Sequence, residues 1–469
     1  MIPALSIQNL TRLHKELPKL LQCIRAAGGH PYLVGGSVRD ALMGVSPDDL
    51  DIEVFGAPME ALSKEIDRHF KVHWVGKSFG VLKIGGQPFD VSVPREETVT
   101  GHGHRDFDIR CDPDLPLEKA AARRDFTINA IYWDLNTGSL VDPHGGLPDL
   151  NNKILRHTSG KFAEDPLRVF RAMQFSARFG FDVHPSTVAL SASMEADNLP
   201  RERIFGEFRK LILKGIRPSL GLHFLRDCGW VRHFPELEAL IGCDQDPHWH
   251  PEGDVWNHTL LCMDAYAKSR TGDPTEDLIV GLAVLCHDMG KPATSIHEAG
   301  HIRSPGHAEA GIPVTLSFLS RLTEESLLLE AVPPLVAAHM RPAALFRDHS
   351  SDAAIRRLAL QVGRMDRLLR VCQADRQGRT GAVASEAFPE GDWINERLSN
   401  LGLQKQKPQP IVQGRDLIRM GIPPGPSFSP MLDACFQAQL DGVFDDHPGG
   451  ILFLESLLRQ KGLLPHPSS

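Results

Sequence analysis

Asp49 and Asp51 are separated by a single residue and follow closely on a double glycine, Gly35-Gly36. Leu50, Ile52 and Val54 alternate with Asp49, Asp51 and Glu53, the pattern of a half-buried strand whose side chains repeat every two residues. Both aspartates then project from one face. Neighbouring carboxylates supply the hard oxygen ligands that Mg²⁺ prefers. A pair of such ions about 3.5–4 Å apart clamps the attacking and leaving oxygens of a nucleotidyl transfer. Residues 32–34 are apolar and β-prone, Gly35-Gly36 breaks that run, and Ser37 is placed to cap a following helix. A strand, glycine turn and helix N-terminus in that order present backbone N–H groups to phosphates. Asp90, on a later strand pattern, is either a third carboxylate for the same metals or a polar residue on the open side of a sheet. Taken singly, Asp-x-Asp fits a solvated strand face and Gly-Gly fits a turn; their order and spacing together carry the reading.

Two further motifs extend this chemistry. Arg123-Arg124-Asp125-Phe126-Thr127-Ile128-Asn129-Ala130 sets two guanidinium groups and a carboxylate beside a β-prone run. Arg grips phosphate bidentately and Asp accepts from ribose hydroxyls, whereas a surface ion pair of the same residues is worth little. Glu164-Asp165-Pro166-Leu167-Arg168-Val169-Phe170-Arg171-Ala172 opens a helix with Pro166 at its first position and Asp165 as a cap. Asp165 and Arg168, three apart, can also hydrogen-bond a base edge. Cytosine and adenine both offer an exocyclic amine beside a ring-nitrogen acceptor. Guanine and uracil place a carbonyl there and leave Asp165 without a partner, which discriminates against them.

A second set of possible ligands is spread further along: His258, His287-Asp288, His307, His339 and Asp375. With 22 histidines in the chain, any one of them alone is no more than a core or surface residue. The run Cys286-His287-Asp288-Met289-Gly290-Lys291, with an upstream His and a distant Asp, resembles the HD phosphohydrolases. That resemblance implies one or two divalent ions, held by His258, His287, Asp288 and Asp375, that activate water against phosphoesters. His307 and His339 could bind a second ion or the substrate phosphate.

The elements that must position these residues divide the chain in two. A leading helix ends at Gly28-Gly29, and short strand patterns then dominate to about residue 150. Residues 81–84 and 89–93 flank Gly85-Gly86 as a hairpin, and residues 95–116, rich in Gly, His and Asp, read as a mobile loop. Beyond about 150 the periodicity is helical, as in Val169, Phe170, Met173, Ala177 and Phe181, with breaks at residues 247–251 and 404–410. The fold class is therefore α+β, a small head with a mixed or antiparallel sheet and a mostly helical body. The chain has 469 residues, 23% charged and 42% hydrophobic, enough for several folding units. No apolar run has the length of a membrane span, no signal segment opens the chain, and the eight cysteines are scattered, so a reduced, cytoplasmic protein is expected. The net charge of −8 requires any nucleic acid to meet a local basic surface. Residues 201–217, with six Lys or Arg against two Glu, are one candidate; Arg356, Arg357, Arg364, Arg367 and Arg370 are another. Solvated helix faces account for either stretch equally well.

The Gly-Gly and Asp-x-Asp motifs resemble the active site of the class II nucleotidyltransferases, the family of bacterial CCA-adding enzymes and poly(A) polymerases. Arg123–Ala130 matches that family's sugar- and phosphate-contacting motif in full. Glu164-Asp165-x-x-Arg168 matches its base-reading motif, and Arg201-Glu202-Arg203 resembles the segment that braces the base-reading helix. The combination with an HD module, and a tail containing Gly414-Arg415-Asp416-Leu417-Ile418, is most similar to the long bacterial CCA-adding enzymes. The resemblance implies a polymerase-β-like head over residues 1–150, a neck and RNA-binding body over 151–245, an HD domain over 246–395 and a helical tail over 396–469. It implies Mg²⁺ on Asp49 and Asp51, and nucleotide held by Gly35, Gly36, Arg39, Arg124, Asp125, Asn129, Asp165, Arg168 and Arg171. Its substrates would be CTP, ATP and tRNA, and the loop near residues 95–110 would move as specificity switches. The HD site would take a divalent ion and act as a phosphatase or phosphodiesterase. Residues 52–56 and Gly101-His102-Gly103-His104 depart from the best-known long form. Sister activities remain open: poly(A) addition, or addition of CC or A alone. So do an RNA-binding HD phosphohydrolase and a non-catalytic RNA-binding protein. Nothing in the pattern sets an oligomeric state.

Overall fold

The computed structural model describes residues 12, 14–47, 49–75, 80–99, 107–196, 199–381 and 387–464. The chain forms two compact units, residues 1–233 and 234–469.

In the first unit, helix α1 (Leu17–Ala26) leads into β1 (His30–Val34) and helix α2 (Gly36–Leu42). Strands β2 (Leu50–Phe55), β3 (Val72–Val75), β4 (Val81–Ile84) and β5 (Phe89–Ser92) follow. With β8 (Tyr132–Asp134) and β9 (Leu140–Val141), they make a seven-stranded sheet in the order β3-β4-β5-β2-β1-β8-β9. The sheet is mixed, as expected: β2 runs parallel to β5 and antiparallel to β1. Alternation drives this arrangement. Leu50, Ile52 and Val54 are fully buried on one face, which leaves Asp49 and Asp51 exposed on the other. The hairpin of β4 and β5 forms where the Gly85-Gly86 turn predicts it.

The stretch expected to be a mobile loop is different. β6 (Arg95–Val99) and β7 (Phe107–Cys111) pair antiparallel as a separate two-stranded ribbon. Thr98, Val99, Phe107 and Ile109 are β-prone, and their ladder bonds outweigh the polar residues between them. Gly101-His102-Gly103-His104 lies outside the described residues.

Helix α3 (Leu167–Phe179) buries Val169, Phe170 and Met173 and ends at Gly180 in the left-handed conformation, so Phe181 is buried just beyond it. Helix α4 (Arg201–Lys214) packs against it. The second unit is mostly helical, apart from a short hairpin of residues 296–298 and 301–303, with α5 (Val255–Lys268), α6 (Pro274–Cys286), α7 (His307–Leu322), α8 (Ser326–Ala338) and α9 (Met365–Gln377) packed on one another. Asp254 and Asp273 cap α5 and α6 through their side chains. After the break at residues 404–410, a smaller apolar cluster including Leu417, Met431 and Leu454 joins α10 (Gly414–Arg419), α11 (Phe428–Leu440) and α12 (His447–Gln460). Among the described residues, no helix is long and apolar enough to cross a membrane.

Candidate active site and metal centre

Gly35 is the hinge of the head site. Its φ of 70° and ψ of −137° suit glycine, and a Cβ there would lie 3.2 Å from an Arg124 nitrogen and 3.7 Å from Asp51 Oδ2. Gly35, not Ser37, occupies the N-cap position of α2, because Ser37 already lies in the first turn and is committed elsewhere. Its hydroxyl donates to the Asp49 carbonyl (2.9 Å) and accepts from the Asp51 N–H (3.2 Å), fastening α2 to the carboxylate-bearing strand.

The parallel register of β2 and β5 sets Asp90 directly beside Asp51. Lys83 lies 3.2 Å from Asp90. Partial withdrawal from water raises the Asp51 carboxyl above its ordinary range; Arg124 opposes this, while Asp90 and Asp49 add to it. Asp51 and its neighbours Asp49 and Asp90 offer only oxygen, the donor type that a hard divalent cation takes, and their mutual charge is what such an ion would relieve.

Asp51 opens on a cavity of about 360 Å³, lined also by Gly35, Gly36, Asp125, Asn129 and a ring of cations. Arg39, Arg124, Arg171, Arg178, Lys210 and Lys214 all reach it. Arg39 is buried, donates to Asp40 and to Asn129 Oδ1 (2.6 Å), and sits over the Phe179 ring. Asn129 in turn donates to Asp125, whose other oxygen accepts from Arg171 at 2.7 Å. Burial alone would raise the Asp125 carboxyl, but Arg171 and Asn129 outweigh it and hold it below the ordinary range. The structure thus brings together Gly35, Gly36, Arg39, Asp51, Arg124, Asp125, Asn129 and Arg171.

Gln174, Phe175 and Arg178 in this cavity escape the sequence reading, and Lys210 and Lys214 were named only as part of a basic stretch. Arg178 and Gln174 share a face of α3 with Arg171, at the three-to-four spacing that could have revealed them. Gln174 is 1% exposed with its Oε1 unpartnered among the described residues. Lys210 and Lys214 come from the basic stretch of residues 201–217. The second basic stretch is largely neutralised: Arg364 and Arg367 clamp Glu276, Arg370 pairs with Asp277, and Arg357 pairs with Asp441.

Glu53 is a buried anchor. It is 0% exposed and accepts from Arg123 (2.7 Å), Arg124 (3.3 Å) and the Tyr132 hydroxyl (2.7 Å). Burial pushes its carboxyl up, but Arg124, Arg123 and Tyr132 together hold it below its usual value. Glu53→Gln leaves two guanidinium groups without a countercharge and is expected to cost about 3 kcal/mol, the lower end for a broken buried pair because both keep some water contact. Urea unfolding would measure it; an unchanged midpoint would deny Glu53 this anchoring role.

Asp165 and Arg168 sit at the mouth of α3. Pro166, expected as the first helical residue, takes the N-cap position instead, and Asp165 just before it accepts from the Leu167 N–H at 3.0 Å. Its second oxygen accepts from Arg203 at 3.1 Å, so the α4 segment does brace it. Arg168 donates to the carbonyls of Lys161 (2.5 Å) and Arg123 (2.7 Å), which fixes its fork.

In the second unit, His258, His287, Asp288, His307, His339 and Asp375 converge. His258 Nε2 is 3.0 Å from Asp375 and 3.9 Å from Asp288. Asp288 is also 3.3 Å from His287, 3.4 Å from His307 and 3.8 Å from His339. The Nδ1–H groups of His287, His307 and His339 each donate to a carbonyl within their own turn, at 2.7–2.8 Å. His258 Nδ1–H donates to Glu252 (2.8 Å), which also accepts from His250 (2.9 Å). Every Nε2 is thereby turned toward the centre, the second-sphere arrangement of ligating imidazoles. Burial, reinforced by His287, holds His339 down at about 4, so its ring is neutral at pH 7. His287 Nε2 is buried and approaches Asp288 at 3.3 Å without a well-directed hydrogen bond, a position that a divalent ion between the two would satisfy. Glu252 was not singled out as functional from sequence; its place two residues after His250 was the available signal.

The model of the poly A polymerase head domain matches residues 31–156, and that of the probable RNA and SrmB-binding site of polymerase A matches residues 180–241. The CCA-adding enzyme of Bacillus stearothermophilus, in complex with CTP, superposes with a TM-score of 0.64 at 23% identity, covering 96% of this chain and 98% of its own. The Thermotoga maritima CCA-adding enzyme complexed with tRNA-CCA gives 0.60 at 20% identity, covering 97% of each. A multifunctional CCA protein of Tolumonas auensis is 36% identical over 383 residues, 78% of this chain and 88% of its own. With 36% of the aligned residues identical across most of both lengths, this chain belongs to the family of the multifunctional CCA proteins.

Proposed function

We propose that this protein is a template-independent nucleotidyltransferase that adds C, C and A to tRNA 3′ ends from CTP and ATP. The observation that carries the proposal is Asp51, with Asp90 beside it in register, lining a cation-ringed cavity at the Gly35 turn. Mg²⁺ held by Asp49 and Asp51, with Asp90 beside them, would supply charge neutralisation at the reacting phosphate and a more acidic primer 3′-hydroxyl. The chain's own residues do the rest. Gly35 and Gly36 let backbone approach the triphosphate, while Arg39, Arg124, Arg171 and the lysines of α4 spread its charge. Asp125 and Asn129 fix the sugar. Ser37 keeps both aspartates in register with the turn.

Asp165 and Arg168 select the base, and the brace from Arg203 holds the acceptor oxygen still. Asp165→Asn keeps an oxygen for the Leu167 N–H but offers an N–H where the aspartate offers only oxygen. It is expected to lower the preference for CTP over UTP in kcat/KM by about tenfold to a hundredfold, from the 1–3 kcal/mol of one good base contact. An unchanged preference would remove Asp165 from base reading.

The converging imidazoles and carboxylates of the second unit support an additional metal-dependent phosphohydrolase of the HD type, acting on phosphomonoesters or cyclic 2′,3′-phosphates. A divalent ion there would supply an activated water. Eight cysteines, all unbridged, fit a cytoplasmic location.

The deciding experiment offers the protein tRNA primers ending before CCA, after C and after CC, with CTP, ATP or both. Stepwise addition that stops at CCA supports the proposal. A long A-tail, or addition at one step only, reassigns the protein to a sister activity. No incorporation refutes the transferase reading.

A further inference from the structure

We propose that Cys262 is a ligand in the metal centre of the second unit, giving one metal position a nitrogen, oxygen and sulfur donor set that selects a borderline transition-metal ion such as Zn²⁺ or Co²⁺ over Mg²⁺. This rests on the reading of His258, His287 and Asp375 as ligands.

Cys262 follows His258 by four residues on α5, so both side chains leave the same face of the helix. The thiol is fully buried, and Sγ lies 3.3 Å from His258 Nε2. One donor atom from each of His258, Cys262, His287 and Asp375 falls within 4.8 Å of all the others. Tetrahedral coordination with typical Zn–N and Zn–S bonds separates nitrogen from sulfur by about 3.5 Å. The observed spacing therefore needs little adjustment. A second feature points to the same ion: His287 Nε2, 1% exposed and a member of this very group, makes no well-directed hydrogen bond and has Asp288 alone as an ion-pair contact at 3.3 Å.

The sulfur has room because position 378 carries no side chain. A Cβ on Gly378 would come 2.3 Å from Cys262 Sγ, so any larger residue would displace the thiol from the cluster. The neighbouring group of Asp288, His307 and His339 contains no sulfur, and the head aspartates offer only oxygen. Soft and borderline donors in one place and hard donors in another sort metals by ligand type, so the two activities would draw on different ions. On binding, the thiol proton leaves to the buffer and the thiolate sulfur donates an electron pair to the ion.

The test strips the full-length protein of metal and titrates it with Co²⁺, following both the visible d–d bands and the near-ultraviolet sulfur-to-cobalt charge-transfer band. The expected result is both signals in the wild type, with the charge-transfer band lost and the d–d bands retained in Cys262→Ser. Zinc-edge absorption spectroscopy of the wild-type zinc form, which requires no variant to fold, should show one sulfur at about 2.3 Å. Cobalt d–d bands without charge transfer, or a band that persists in Cys262→Ser, would overturn the proposal while leaving the metal centre intact. Failure to take up Co²⁺ or Zn²⁺ at all, in wild type and variant alike, would overturn the metal reading itself.

Discussion

Asp51→Ala is expected to lower nucleotide incorporation by at least about a thousandfold in the primer assay. A metal that stabilises developing charge is worth several kcal/mol, and each 1.36 kcal/mol is a factor of ten. Asp51 holds the central place: Asp90 lies beside it in register, Arg124 is close by, and its own N–H is pinned by Ser37. The same placement separates chemistry from folding. Asp51 is exposed and crowded by like charges from Asp90 and Asp49, so its removal relieves repulsion and should leave the melting temperature unchanged or higher. A stable protein without activity is the expected outcome. Near-normal incorporation by Asp51→Ala would end the two-carboxylate account.

Asp288→Asn is expected to abolish phosphoester hydrolysis, again by about a thousandfold or more, while CCA addition by the same preparation is retained. Asp288 lies within 4 Å of His258, His287, His307 and His339, so one substitution reaches both candidate metal groups. It also removes the partner of Lys291, 2.6 Å away and nearly buried. Gln245 still accepts from that ammonium at 2.6 Å, which limits the structural damage. Retained addition is the internal control for intact protein. Hydrolysis that survives the substitution would place the hydrolytic site elsewhere.

What the sequence disclosed was mostly local. The strand around Asp51, the glycine turn and the β4–β5 hairpin each follow from a few consecutive residues whose periodicity and turn chemistry agree. The residues that converge in the second unit, His258, His287, Asp288, His307, His339 and Asp375, were readable from the resemblance carried by Cys286–Lys291, although they span α5 to α9. The β6–β7 ribbon was hidden, since Glu96, Glu97 and Arg110 obscure any alternation in strands whose pairing is settled by backbone bonds. Glu53 looked like one more polar position on an alternating strand. Its burial depends on Arg123, Arg124 and Tyr132, which arrive from seventy or more residues away. Lys210 and Lys214 join the cavity only through the packing of α4 against α3, which no single segment encodes.

The Arg39, Asn129, Asp125 and Arg171 chain has an implication for how this family can be rearranged. A recombination point near residue 150 follows the change from strand to helix texture, yet it cuts the Asp125–Arg171 bond and removes the Phe179 ring beneath Arg39. A graft taken at that point inherits a buried aspartate with no countercharge and a guanidinium with no lid. Chimaeras exchanged there are expected to be recovered unfolded or inactive, whereas exchanges at residue 233, where the first compact unit closes, keep the chain of contacts whole. Solubility and melting of the two sets of chimaeras would show whether the unit of inheritance is the sheet alone or the sheet together with α3.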